Sequence, residues 1–223
     1  MVLQIKNIQK SFGKKRVLRD VSFDAESGKC IGIIGANGCG KSTLFSILAG
    51  VQHGNGEFIV DGVDLMKNSS LRTQLIGYIP QGTPLIDELS AYDNLLLWYS
   101  KKNLKKHLSP GGIINWFGVD KFLKTPVRKM SGGMKKRLSI VCSVAHNPEI
   151  IIMDEPTAAL DIVCKQTIKN YIISCKKAQK TVILATHEVQ ELELCDSVYL
   201  LKDGVLEPFV YNENVDELVE RIK

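Results

Sequence analysis

An α/β fold built around a mainly parallel sheet is what this sequence predicts, and three segments carry the prediction. The runs at 31–34, 149–154 and 181–186 are apolar, of strand length, and lack the polar alternation of a strand with one wet face. Strands covered on both faces read this way, and parallel sheets are covered on both faces. Each run also delivers glycine or polar residues at its C-terminal end, where an open α/β sheet keeps its ligands.

In chain order, residues 2–24 alternate and turn like two strands of a small antiparallel sheet. The run Ile31-Gly32-Ile33-Ile34 then passes through Gly35-Ala36-Asn37-Gly38-Cys39-Gly40-Lys41-Ser42 into Thr43-Leu44-Phe45-Ser46-Ile47-Leu48, which has helical spacing. Strand, glycine turn and helix start together place backbone N–H groups and the positive end of a helix around a polyphosphate. Lys41 reaches the outer phosphates and Ser42 a magnesium ion, the arrangement of a P-loop. Residues 56–62 look like a further strand closed by a turn.

From 85 to 147 the pattern is helical, and it reads as a subdomain inserted between two halves of the core. Ser90 caps a helix through Leu95-Leu96-Leu97-Trp98, and Ser109-Pro110-Gly111-Gly112 breaks the pattern before Ile113. Tyr92, Leu96, Trp98 and Tyr99 stand at helical spacing, either as core or as the lining of a groove for another subunit's helix. Lys101, Lys102, Lys105 and Lys106 form one basic concentration, a solvated helix end or a face toward acidic headgroups. Ser131 is a natural N-cap, with Leu138, Val141, Cys142 and Ala145 at helical spacing behind it. Lys135, Lys136 and Arg137 oppose the macrodipole of that helix, a placement that suits a bound anion or a solvated basic turn.

The second apolar strand ends in Asp154 and Glu155 and is closed by Pro156. In register with a P-loop, Asp154 helps hold magnesium and Glu155 polarises the attacking water. The third strand delivers His187, placed to contact a terminal phosphate.

The 223 residues suffice for one α/β core and are too few for two complete ATPase domains. No stretch approaches the ~20 apolar residues of a spanning helix, and the first residues have no signal-peptide character. The cysteines (Cys30, Cys39, Cys142, Cys164, Cys175, Cys195) show no C-x-x-C spacing, which points to reduced thiols rather than zinc. A net charge of +5 is too mild to demand a nucleic-acid partner.

With these residues in place the chain resembles, over nearly all its length, the nucleotide-binding subunit of an ABC transporter. In the family's terms Gly35 to Ser42 is Walker A, Ile150 to Asp154 is Walker B, and Glu155 resembles the catalytic glutamate. Ala158-Ala159-Leu160-Asp161 resembles the D-loop, His187 the switch histidine, Gln81 the Q-loop glutamine, and Phe12 the aromatic that stacks on adenine. The resemblance implies ATP on Asn37, Gly38, Cys39, Gly40, Lys41, Ser42 and Thr43, with magnesium on Ser42, Gln81 and Asp154. It also implies that Ser131, Gly132 and Gly133 complete the site of a partner protomer and that Gln81, Glu155 and His187 arrange water. Met130 and Met134 depart from the usual signature, and a methionine followed by Lys-Lys-Arg-Leu is similar to exporters of drugs, antibiotics or lipids.

The implied organisation is a single ATP-binding domain with a β subdomain and P-loop NTPase core at about 1–84, a helical subdomain at about 85–147, a second half of the core at about 148–211 and a short tail at 212–223. The implied partners are a transmembrane permease subunit and a second ATP-binding subunit, identical or paralogous, with no nucleic acid and with a cytoplasmic location peripheral to the inner face of the membrane. A soluble ABC-type ATPase acting on DNA or ribosomes and a small-molecule kinase are the alternatives. The absence of a long heptad array weighs against the first, and the signature against the second.

Overall fold

The computed structural model describes residues 1–210 and 220–221. The tail read at 212–223 therefore lies, but for two residues, outside the described part.

One sheet of ten strands runs through the described residues. Its antiparallel half is built from β1 (Val2–Phe12), β2 (Lys15–Glu26), β4 (Asn55–Val60) and β5 (Val63–Asp64). β1 pairs with β2 on one side and β4 on the other. The β1–β2 turn uses Gly13 at φ 56°, in the left-handed region that glycine enters without cost. The other half is β3 (Cys30–Ile34), β6 (Ile76–Ile79), β7 (Ile150–Asp154) and β8 (Thr181–Ala185), parallel in the order β3-β8-β7-β6. β9 (Ser197–Lys202) adds parallel to β3, and β10 (Val205–Phe209) returns antiparallel to β9. A single parallel pair, Val205 with Asp20, joins the halves.

Every residue of β3, β7 and β8 is buried, as their unbroken apolar runs require. Side chains of a strand alternate between faces, so adjacent residues of one strand enter different cores. Ile151 and Met153 of β7 pack with the helical layer, while Ile150 and Ile152 pack with the antiparallel strands and α1 (Lys41–Leu48). Short α2 (Ser69–Leu75) precedes β6.

The helical layer comprises α3 (Ala91–Leu96), α4 (Lys101–Leu108), α5 (Ile113–Trp116), α6 (Gly132–Ser143) and α7 (Ile162–Lys177), and α8 (Val189–Leu192) follows β8. Ser90 caps α3 in a full capping box with Asp93. The helix expected to run through Trp98 stops at Leu96. Ser100 then starts α4, its hydroxyl accepting from the Asn103 N–H at 3.3 Å, because a serine offers the backbone a local alternative to continued helix. The break at 109–112 lies where its glycines and proline put it. Tyr99 is core and donates its hydroxyl to the Val141 carbonyl at 2.9 Å, whereas Trp98 is 60 % exposed. Lys101, Lys102, Lys105 and Lys106 are exposed around the buried Leu104 of α4.

Candidate functional site

The strand ends meet at one edge of the sheet, and the loop after β3 occupies its centre. Gly35, Gly38 and Gly40 have φ of 152°, 77° and 120°. A Cβ at Gly35 would collide with the Leu201 carbonyl, and one at Gly40 would press on Val17 and Leu18 at 3.0 Å, so both glycines are needed for the loop's path. Asn37 and Gly38 are exposed, Cys39 half-buried, and Ser42 and Thr43 open α1. Lys41 is buried and donates to the carbonyls of Gly35 at 2.7 Å and Ala36 at 3.2 Å.

Three of the residues singled out above form one cluster. Gln81 Nε2 donates to Glu155 Oε2 at 3.0 Å, and His187 Nε2 lies 3.3 Å from Glu155 Oε1. Burial, and then Lys41, hold His187 below the usual imidazole range, against the pull of Glu155. The ring is therefore neutral at neutral pH, and the 3.3 Å approach is not an ion pair. Glu155 has φ 46°, unusual for a residue with a Cβ and worth on the order of 1 kcal/mol of strain. Its N–H donates to the Ala185 carbonyl at 3.0 Å, which ties the end of β7 to that of β8.

Asp154, 2 % exposed, is pushed up by burial, while the nearby Ser42 hydroxyl draws it down. An all-oxygen pair of hydroxyl and carboxylate suits magnesium, which takes one or two protein ligands and fills its octahedron from water and phosphate oxygens. Among the described residues no group of three or more His, Cys, Asp or Glu forms a self-contained metal cage.

Ser131 N-caps α6, its Oγ accepting from the Met134 N–H at 3.3 Å. The Gly133 Cα carries no Cβ where one would stand 3.3 Å from Asp161 Oδ2, so the signature turn and the D-loop meet within the chain. Among the described residues no hydrogen bond joins Ser131, Gly132, Gly133 or Asp161 to the P-loop. Phe12, at the hairpin tip, is 48 % exposed with Lys10 Nζ 5.2 Å from its ring centroid.

The cations of α6 all have partners inside the chain, so no bound anion is needed to explain them. Lys135 pairs with Asp87 at 3.5 Å, and Arg137 donates to the carbonyls of Gly133 and Phe117. Lys136 is buried and donates to the Pro80 carbonyl at 2.8 Å; burial pushes its ammonium down to about 8 against the carboxylate of Asp154. Sequence reasoning missed this lysine, since a cation near a helix start reads as solvated. It also missed a cleft of about 260 Å³ beside the P-loop, lined by Lys15, Arg16, Val17, Gly38, Cys39 and Lys202 among others. The run Lys14-Lys15-Arg16 was its only signal.

Comparison with known proteins places this geometry. The family description "ABC transporter" matches residues 18–158. The chain is similar to the linearmycin resistance ATP-binding protein of Bacillus subtilis, 33% identical over 208 residues that cover 91% of this chain and 67% of that one. It is also similar to a lantibiotic transport ATP-binding protein of Streptococcus pyogenes, 34% identical over 97% of this chain and 95% of that one. Among solved structures an ATP-binding subunit of an ABC transporter superposes with a TM-score of 0.87 at 26% identity, covering 100% of both chains. A dimeric ATP-binding cassette in a post-hydrolysis state, bound to ADP and Pi, gives 0.82 at 26% identity over 92% of this chain and 96% of that one. A P-loop, a carboxylate held between a glutamine and a histidine, and this set of relatives lead to one assignment: the chain belongs to the ABC transporter family, as an ATP-binding component and an ATPase.

Proposed function

We propose that the chain powers export through a separate transmembrane subunit, by closing on a second ATP-binding subunit when ATP is bound and separating after hydrolysis. The observation that carries the reading is the position of Glu155 at the end of β7, accepting from Gln81 at 3.0 Å and with His187 Nε2 3.3 Å from its other oxygen. Lys41, Thr43 and the N–H groups of Asn37, Gly38, Cys39 and Gly40 hold the phosphates, and Phe12 stacks on the base. Ser42, Asp154 and Gln81 would hold magnesium, which would supply positive charge to offset that of the phosphates. Glu155 accepts the proton of the water that attacks the γ-phosphorus, and His187 steadies the oxygens of the phosphate as it leaves ADP.

Among the described residues Ser131, Gly132, Gly133 and Asp161 make no hydrogen bond to their own P-loop, which favours their serving the site of the partner. Export is favoured by the relatives named for antibiotic resistance and lantibiotic transport. Among the described residues no helix is long and apolar enough to cross a membrane, which fits a subunit held at the inner membrane face by its partner. We divide the chain functionally at about 85 and 148, the helical segment between them being the part that meets the permease.

Glu155→Gln tests the reading. It keeps the P-loop and so retains ATP binding, while phosphate release falls at least about a hundredfold, the scale of a lost general base. The variant accumulates as an ATP-bound dimer in size-exclusion chromatography. Turnover close to the parent's would remove Glu155 from its role.

A further inference from the structure

We propose that Lys136 is a positioning residue for ATP hydrolysis, holding from the signature helix the backbone that presents Gln81 to Glu155. The proposal rests on the role given to Gln81 and Glu155 above.

Lys136 is 4 % exposed in the second turn of α6. Its ammonium donates to the carbonyls of Pro80 at 2.8 Å and Gln81 at 3.4 Å. Those carbonyls belong to a segment with little else to fix it. β6 ends at Ile79, Gly82 has open space where a Cβ would stand, and among the described residues no other hydrogen bond reaches the backbone of residues 80–82. The Gln81 side chain leaves this segment to reach Glu155 at 3.0 Å. Contacts thus run from α6 to the carbonyls of Pro80 and Gln81, and from the Gln81 side chain to Glu155, whose other oxygen lies 3.3 Å from His187 Nε2.

Burying a cation is a poor way to gain stability. The lost hydration is costly, and an apolar side chain of similar volume often serves the fold as well or better. Asp154 and Glu155 face the ammonium from the end of β7, Glu191 from α8 and Cys164 from α7, yet none of the carboxylates comes within ion-pair distance. Its two neighbours take other routes, Lys135 to Asp87 and Arg137 to Gly133 and Phe117. Only the middle cation of the three turns into the seam between α6 and the end of β6. The geometry assigns it the position of Gln81 rather than the integrity of α6.

The test separates position from stability. In Lys136→Met the stem volume is kept and the donor removed. Thermal melting should stay at or above the parent's, ATP should bind within about twofold, and the KM for ATP should be similarly unchanged. The kcat for phosphate release by the purified chain should fall at least about tenfold. Lys136→Arg, which keeps donors for both carbonyls, should restore kcat to within about threefold. The loss should also vanish against a Gln81→Ala background, because two changes acting through one contact are not additive. A kcat near the parent's in Lys136→Met, a loss carried by KM, or full additivity with Gln81→Ala would each overturn the proposal. Should Lys136→Met fail to fold, Lys136→Gln, whose donor ends one bond short, carries the same expectations and the same refutations. Glu155→Gln measured alongside keeps the two readings apart: if that variant turns over normally the assignment of Glu155 fails, whereas a silent Lys136→Met beside an inactive Glu155→Gln rejects only the role of Lys136.

Discussion

Cys39 shows what a single residue's surroundings predict. Of the six cysteines, all free, Cys30, Cys142, Cys164 and Cys175 are buried while Cys39 and Cys195 are half-buried. Cys39 lies inside the phosphate loop, against Gly35. Limited maleimide labelling followed by peptide mapping should therefore modify Cys39 and Cys195 and spare the other four, and Mg-ATP should protect Cys39 alone. Equal labelling of Cys39 with and without nucleotide would mean that its thiol points away from the ligand. At this scale the sequence was legible where a residue's place follows from its neighbours in the chain: Gly35 to Ser42 between β3 and α1, Asp154 and Glu155 at the end of β7, and His187 just after β8. Lys136 and Val17 were not legible, because what they do depends on carbonyls and glycines far away in sequence.

Helix ends are where element and site meet. Asp161 closes the D-loop and also N-caps α7, its Oδ1 accepting from the Cys164 N–H at 2.8 Å. Asp161→Ala leaves that donor unpaired and should cost about 1 kcal/mol, the usual worth of such a cap, read as a lower urea midpoint with unchanged slope. Asp161→Asn keeps the acceptor and should recover most of it. Elements with a strong period or a strong stop were readable, as the break at 109–112 illustrates. The halt of α3 at Leu96 was not, since Leu95-Leu96-Leu97-Trp98 carries on the helical period while the chain tightens there, the N–H groups of Leu97 and Trp98 donating to the carbonyls of Asn94 and Leu95. Four-residue β6 is set by its pairing with β7, a contact that no local pattern announces.

For the molecule as a whole, three partly shielded histidines shape the response to acid. His107, His146 and His187 each titrate below the ordinary 6.5, with burial as the first cause in all three. The unfolded chain binds these protons at a higher pH than the native one. Stability is therefore full above about 6.5 and falls as pH drops through the window beneath it. Asp154 and Glu191, pushed up by burial, have the opposite sign and act at lower pH. Thermal melts should move down between about pH 7.5 and about pH 5.5. His146→Gln, at a residue outside the site whose Nε2 meets the Ile76 carbonyl at 3.1 Å, should shrink that movement. A melting temperature flat across this range would refute the linkage. The α/β class was legible from 31–34, 149–154 and 181–186; that a single sheet joins both halves was not, because the junction is one residue pair, Val205 with Asp20.

The alternation along β7 makes this strand a ruler with a phase. Ile150 and Ile152 answer to one core, Ile151 and Met153 to the other, and the same count brings the chain out at Asp154 and then Glu155. One residue inserted ahead of Ile150 while the strand keeps its anchorage would exchange the two cores and push the carboxylates out of step with Ser42, Gln81 and His187. Sequence drift at β7 is thus limited to apolar side chains that fit the packing of each face and forbidden in length, so that an otherwise mild indel there would erase folding and hydrolysis together.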